Sequence, residues 1–84
     1  MFRGIYVIYD KVSQEYSGIT LHKTDDAAMR YARNALGESF DVSDYELCKI
    51  GEIDMNNPFY INSVEKVQLR VPISEDGRMP LSEV

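Results

Sequence analysis

The chain of 84 residues is 44% hydrophobic and 27% charged, with nine basic and fourteen acidic side chains and a net charge of -5. A chain of this length holds one core, and its composition is that of a folded domain rather than a disordered segment. No apolar run approaches the ~18 residues of a membrane span, and a single Cys and a single His build neither a disulfide framework nor a Cys/His zinc centre.

The stretch "MFRGIYVIYD" opens with one Arg before a short apolar run, but Gly4 interrupts the run and Asp10 ends it without a small-residue cleavage site. It reads as a strand and not as a secretory signal. Ile5, Val7 and Tyr9 fall on one face of "IYVIYD" and Tyr6 and Ile8 on the other, so an interior strand is expected. "KVSQ" is a turn. "YSGITLH" returns as a shorter strand whose Gly18 marks a bulge or bend, and the two form an antiparallel hairpin.

Thr24 is a good N-cap, and Asp25 and Asp26 follow in the first turn, where carboxylates favour the positive end of the helix dipole. Adjacent carboxylates on a helix do not face each other, so capping explains this pair better than general acid-base work. Ala28, Tyr31, Ala32, Ala35 and Leu36 trace one apolar face, and Gly37 ends the helix. Small residues on that face let the helix approach a sheet closely. "DYELCKIGEI" is the third strand, with Cys48 as a small buried hydrophobe. A nucleophilic thiol would need a base, and the only imidazole, His22, reads as an exposed strand-end residue.

Asn-Asn-Pro in "DMNNPFYINS" signals a turn. In "VEKVQLRVPI", Val67, Leu69 and Val71 alternate with Lys66, Gln68 and Arg70, and Pro72 suits the end of an edge strand. The expected fold is therefore α+β, a small mainly antiparallel sheet of about four strands in the order β-β-α-β-β with one helix on one face. Residues 1–73 form the single domain and 74–84 a flexible acidic tail. Tyr6, Tyr16, Phe59 and Tyr60 are candidates for the uncovered side of the sheet or its rim, a side that a homodimer would bury.

No phosphate loop, catalytic triad or metal motif is present, so neither an enzyme nor a cofactor is expected. The acidity is concentrated: residues 38–54 hold one basic and six acidic side chains. A local basic surface can coexist with that segment. Lys23, Arg30, Arg33, Lys66 and Arg70 are candidate phosphate contacts, with Tyr9 and Tyr16 available for stacking on bases. The bland alternative is an ordinary solvated helix face and core tyrosines.

"IYVIYDKVSQEY", followed by "DDAAMRYARNAL" and "DYELCKIGEID", resembles the small nonstructural protein of the gokushovirus branch of the microviruses, phages with circular single-stranded DNA genomes. The resemblance rests on Tyr9 and Asp10 at a strand end, on Ala28 and Arg30 in the helix, and on Tyr45, Leu47, Gly51, Ile53 and Asp54 in the third strand. It spans about residues 5–54. It implies a DNA-binding or packaging-associated factor in the cytoplasm of the infected bacterial host, with no enzyme activity and no cofactor. Single-stranded DNA is the partner this favours, with a likeness of role rather than of charge, and a homodimer is the expected assembly. The alternative is an acidic interaction module that contacts the viral replication or coat protein through residues 38–54. A less favoured idea is an acidic mimic of nucleic acid.

Overall fold

Residues 1–57 and 69–79 and the backbone of 61–63 are described in the computed structural model of the chain. The elements are β1 (Phe2–Asp10), β2 (Glu15–His22), α1 (Asp25–Leu36), a single 3-10 turn (Val42–Asp44), β3 (Tyr45–Asp54), β4 (Ile61–Ser63) and β5 (Leu69–Pro72). All strand pairs are antiparallel, and the sheet runs β2, β1, β3 and then an outer lane. Two segments share that lane, β4 against Gly51–Ile53 and β5 against Glu46–Lys49. The fold is the α+β, β-β-α-β-β arrangement expected, with one short strand more, β4, which falls in the stretch the sequence assigned to a turn.

Apolar residues on both faces of β1 make it a central strand, paired along its length with β2 on one side and β3 on the other. Asp10 shapes the hairpin that follows. Its carboxylate accepts the Val12 N–H at 2.9 Å and its carbonyl accepts the Gln14 N–H at 2.8 Å. Gly18, at φ 69°, sits in a bulge where Gly18 and Ile19 together oppose Val7, as the glycine suggested.

Thr24 caps α1 by accepting the Ala27 N–H at 3.1 Å, and Gly37, at φ 72°, closes it by donating to the Arg33 carbonyl. The buried stripe is Ala28, Met29 and Ala32, with Leu36 half-buried. This is rotated from the face read in the sequence: Met29 is 0% exposed, whereas Tyr31 is 47% exposed and Ala35 is also outside. The reason is that alanines alone do not fill the space over a sheet, and the flexible Met29 does.

Tyr6 lies in the core under this helix, not on the uncovered side or rim where the sequence reading put it. Its ring turns back across Gly4, so closely that a Cβ at position 4 would stand 2.6 Å from the ring. Its hydroxyl donates to the Asp25 carboxylate at the start of α1. Burial and then that carboxylate push the Tyr6 hydroxyl well above the usual tyrosine range, so it remains a donor. Asp25 thus has a specific partner beyond the helix dipole. His22 is half-buried instead of exposed, with its ring 5.6 Å from that of Tyr6 and 5.1 Å from that of Tyr31, and with Nε2 2.9 Å from Thr20 Oγ1.

Ile8, Leu47, Leu69 and Val71 complete the core from the sheet side, and Val42 and Ile73 close its end. Residues 74–79 then return along α1. Arg33 donates to the Glu75 carbonyl at 2.8 Å and to the Gly37 carbonyl at 2.9 Å, and Met79 packs on the core. Of the sequence assignments, Pro58, Phe59, Tyr60, Lys66, Val67, Gln68 and the end of the tail (80–84) lie outside the described residues.

Met29→Ala should lower unfolding stability by about 2–5 kcal/mol, the range for truncating a buried methionine, while Tyr31→Ala should cost clearly less; urea denaturation measures both. Burial, and then the charge of Arg3, hold the His22 pKa below its ordinary 6.5. The folded state therefore disfavours imidazolium, so this contribution is complete above pH 6.5 and is lost as the pH falls from there through the lowered value. Thermal melts should show a decline on that acid side that is weaker in His22→Phe.

Candidate nucleic-acid interface

Because side chains alternate along a strand, the residues of β1 that avoid α1 are Arg3, Ile5, Val7 and Tyr9, and register extends this second face across the sheet. Tyr16 pairs with Tyr9, Leu21 with Ile5, Cys48 with Val7, and Arg70 with Cys48. Among the described residues no element packs over this face. Tyr16 is 52% exposed there and Ile19 74%.

One cluster organises it. The Tyr9 and Tyr16 rings lie 4.7 Å apart, tilted by 41°. The Arg70 guanidinium reaches back across the sheet from β5 and sits 4.6 Å from the Tyr9 ring centroid and 5.8 Å from that of Tyr16. It donates through one terminal nitrogen to the Tyr16 hydroxyl at 2.9 Å, and its Nε is 3.2 Å from a Glu46 carboxylate oxygen. Every partner follows from register: Glu46 of β3 opposes Tyr9 on β1 and Pro72 on β5, two places from the Cys48–Arg70 pair. Cys48 is fully buried beneath this cluster, and burial pushes its thiol up, which leaves it a poor nucleophile.

Three of the candidate residues, Tyr9, Tyr16 and Arg70, are therefore brought together. The others in the described part are not. Lys23 stands exposed in the turn after β2, at the opposite end of that strand from Tyr16. Arg30 and Arg33 belong to α1, on the other side of the sheet. Arg30 lines an open groove with Asp26, Gly77, Arg78 and Met79, while Arg33 is held by the two backbone carbonyls already described. Lys66 lies outside the described residues. Sequence reasoning missed Glu46 and Arg3. Glu46 could have been found by pairing "YELC" with "LRVP" antiparallel, which puts the glutamate beside the arginine.

The acidic segment 38–54 is not a uniform surface. Asp41 caps the 3-10 turn, and the Ser43 hydroxyl and N–H hold its carboxyl below the usual range. Glu46 meets Arg70, Glu52 meets Lys49 at 3.2 Å, and Asp54 meets the N-terminal amine at 3.4 Å. Among the described residues no group of three or more His, Cys, Asp or Glu is placed to hold a metal ion, and no helix is long and apolar enough to cross a membrane.

The profile of a family described as Phage ORF5 protein matches residues 3–69, about four-fifths of the chain, and the chain belongs to that family. No curated protein and no solved structure gives a match.

A double-mutant cycle of Tyr9→Ala and Arg70→Ala, read by urea denaturation, should give a coupling of about 0.5–1 kcal/mol, the size of an accessible cation-π contact. The corresponding cycle of Tyr9→Ala with Arg30→Ala should give none.

Proposed function

We propose that this member of a phage family is a small nonstructural accessory protein that binds single-stranded DNA during genome replication or packaging of a gokushovirus-type phage, in the cytoplasm of the infected host. It acts by binding, without catalysis and without a cofactor. One observation carries the reading: Tyr9, Tyr16 and Arg70 share the sheet face that the helix leaves open. A sheet face with clustered aromatics and an adjacent cation is a general solution for holding single strands. Bases stack on the rings with little regard to sequence, and cations take the phosphates. The register of β1 adds Arg3 to the same face.

The reading differs from one based on bulk charge. Phosphate contacts here would number one or two, so affinity rests mainly on stacking and the salt dependence is shallow. The acidic-module alternative, with residues 38–54 contacting the replication or coat protein, has less support, because four of the six carboxylates in that segment already serve local caps or ion pairs. A homodimer remains compatible with the exposed Ile19 and Tyr16 and would double the platform.

Fluorescence anisotropy with a labelled single strand of ~30 nucleotides, at two salt concentrations and with a duplex control, tests the proposal. Micromolar or tighter binding that prefers the single strand is expected. Tyr9→Ala and Tyr16→Ala should each cost about 1–3 kcal/mol of binding. Arg70→Ala should flatten the salt slope by about 0.7, and Arg30→Ala should change it little. Absence of binding at low salt would overturn the proposal and leave the interaction module as the working function.

A further inference from the structure

The platform carries its own occupant. In this chain the Tyr9 ring already holds a planar group where a base would stack. Tyr16 is tilted against it with centroids 4.7 Å apart, and the planar guanidinium of Arg70 lies over it at 4.6 Å. A nucleobase is also a flat group that stacks on a ring, so base and guanidinium compete for one place. Two further contacts hold the guanidinium there: the hydrogen bond to the Tyr16 hydroxyl at 2.9 Å and the ion pair with Glu46 at 3.2 Å. The Arg70 side chain keeps 40% of its surface exposed and Glu46 keeps 21%, so the arm lies at the surface with room to swing outward.

We infer that Arg70 is an intramolecular plug of the stacking site and that Glu46 is the latch that holds it. The inference rests on the single-strand reading above and deepens it. An incoming base takes the place over Tyr9, and the displaced guanidinium, on its long flexible stem, exchanges Glu46 for the phosphate of the same or the next nucleotide. The exchange is chemically balanced, because one charge-assisted pair to a carboxylate is replaced by one to a phosphate. It also makes occupancy selective. A ligand that supplies only an anion does not lift the guanidinium from the ring, since it gains nothing from the exposed tyrosine. One that supplies only a flat apolar group leaves Arg70 without a counter-charge other than Glu46. A nucleotide supplies both. The device requires the carboxylate at position 46 to be on the same sheet face as the cation, and the register of β3 with β5 meets that requirement.

The test uses the whole chain and a ~30-nucleotide single strand. Glu46→Gln, which keeps the shape and removes the latch charge, should tighten binding about two- to fivefold, the range for a partly exposed ion pair. It should leave the salt slope nearly unchanged, because Arg70 reaches a phosphate in the bound state with or without the latch. In an Arg70→Ala background the same substitution should leave the affinity unchanged. Equal tightening in both backgrounds would mean that Glu46 acts only as a repelling charge, and would overturn the inference while leaving single-strand binding intact. A second measurement needs no DNA. In spectra of arginine-labelled protein, the Arg70 side-chain protons should be displaced by the Tyr9 ring current and should return to ordinary positions in Tyr9→Ala. Undisplaced protons in the unmodified chain would overturn the plug itself. Displaced protons combined with no binding by either the unmodified chain or Glu46→Gln would overturn the single-strand reading, and this inference with it.

Discussion

Among the described residues Tyr6 is the largest fully buried side chain, and its hydroxyl is the constraint on which the rest of the arrangement depends. A buried hydroxyl without a partner costs roughly 1–3 kcal/mol, so its donor must be satisfied inside the fold. Asp25 satisfies it from the first turn of α1. That single contact fixes where the helix starts relative to β1, and the Thr24 cap and the His22 ring then pack around it. The same ring demands a glycine at position 4, because it lies where a Cβ would be. Once the start of α1 is anchored to β1, the helix covers one face of the sheet, and the alternation of β1 decides which residues are left on the other.

Those residues are of two kinds, and the division gives the molecule its two sides. On the helix side, Arg30 and Arg33 face the returning segment 74–79, and Arg33 donates to the Gly37 carbonyl at the end of α1 and to the Glu75 carbonyl in that segment. Cations there stabilise the negative end of the helix dipole and tie the segment down. On the open side Arg70 lies across aromatic rings. Identical side chains therefore serve different ends: three arginines that look interchangeable along the sequence are separated by the thickness of the domain.

The sequence made the element types legible, because each rested on strong local chemistry. Thr24 and Gly37 bounded the helix, Gly18 marked the bulge, and the two-sided apolar pattern of β1 identified a central strand. Long-range geometry was less accessible. Nothing local distinguishes the buried Tyr6 from the exposed Tyr16, since both sit in alternating Tyr-rich strands; the difference is which face receives the helix. Met29 was overlooked for a related reason, as periodicity weighted the alanines beside it. Arg70, Tyr9 and Tyr16 were named individually, but their meeting, and the presence of Glu46 among them, required the register of three strand pairs. Tyr16 and Arg70, which share a hydrogen bond, are 54 residues apart along the chain.

The negative net charge bears on how a single strand would lie. Carboxylates collect at the hairpin end of the sheet: Asp10 and Glu15 pair there, and Asp44 adjoins them through its carbonyl, which accepts the Lys11 N–H at 2.9 Å. This is the end nearest the tyrosines. At physiological salt, charges more than about 8 Å away are largely screened, so what a phosphate meets is local rather than the total of -5. Phosphates on the hairpin side of Tyr9 would meet carboxylates, whereas those on the other side approach Arg3, whose place on β1 puts it on the same face, six residues along the strand. At roughly 3.3 Å per residue that separation is about 20 Å, a span of a few nucleotides. On the proposed reading, then, acidity does not oppose binding but orients it. The aromatic pair fixes one base near the hairpin, the acidic end excludes backbone beyond it, and the strand runs across the open face from Arg70 toward Arg3.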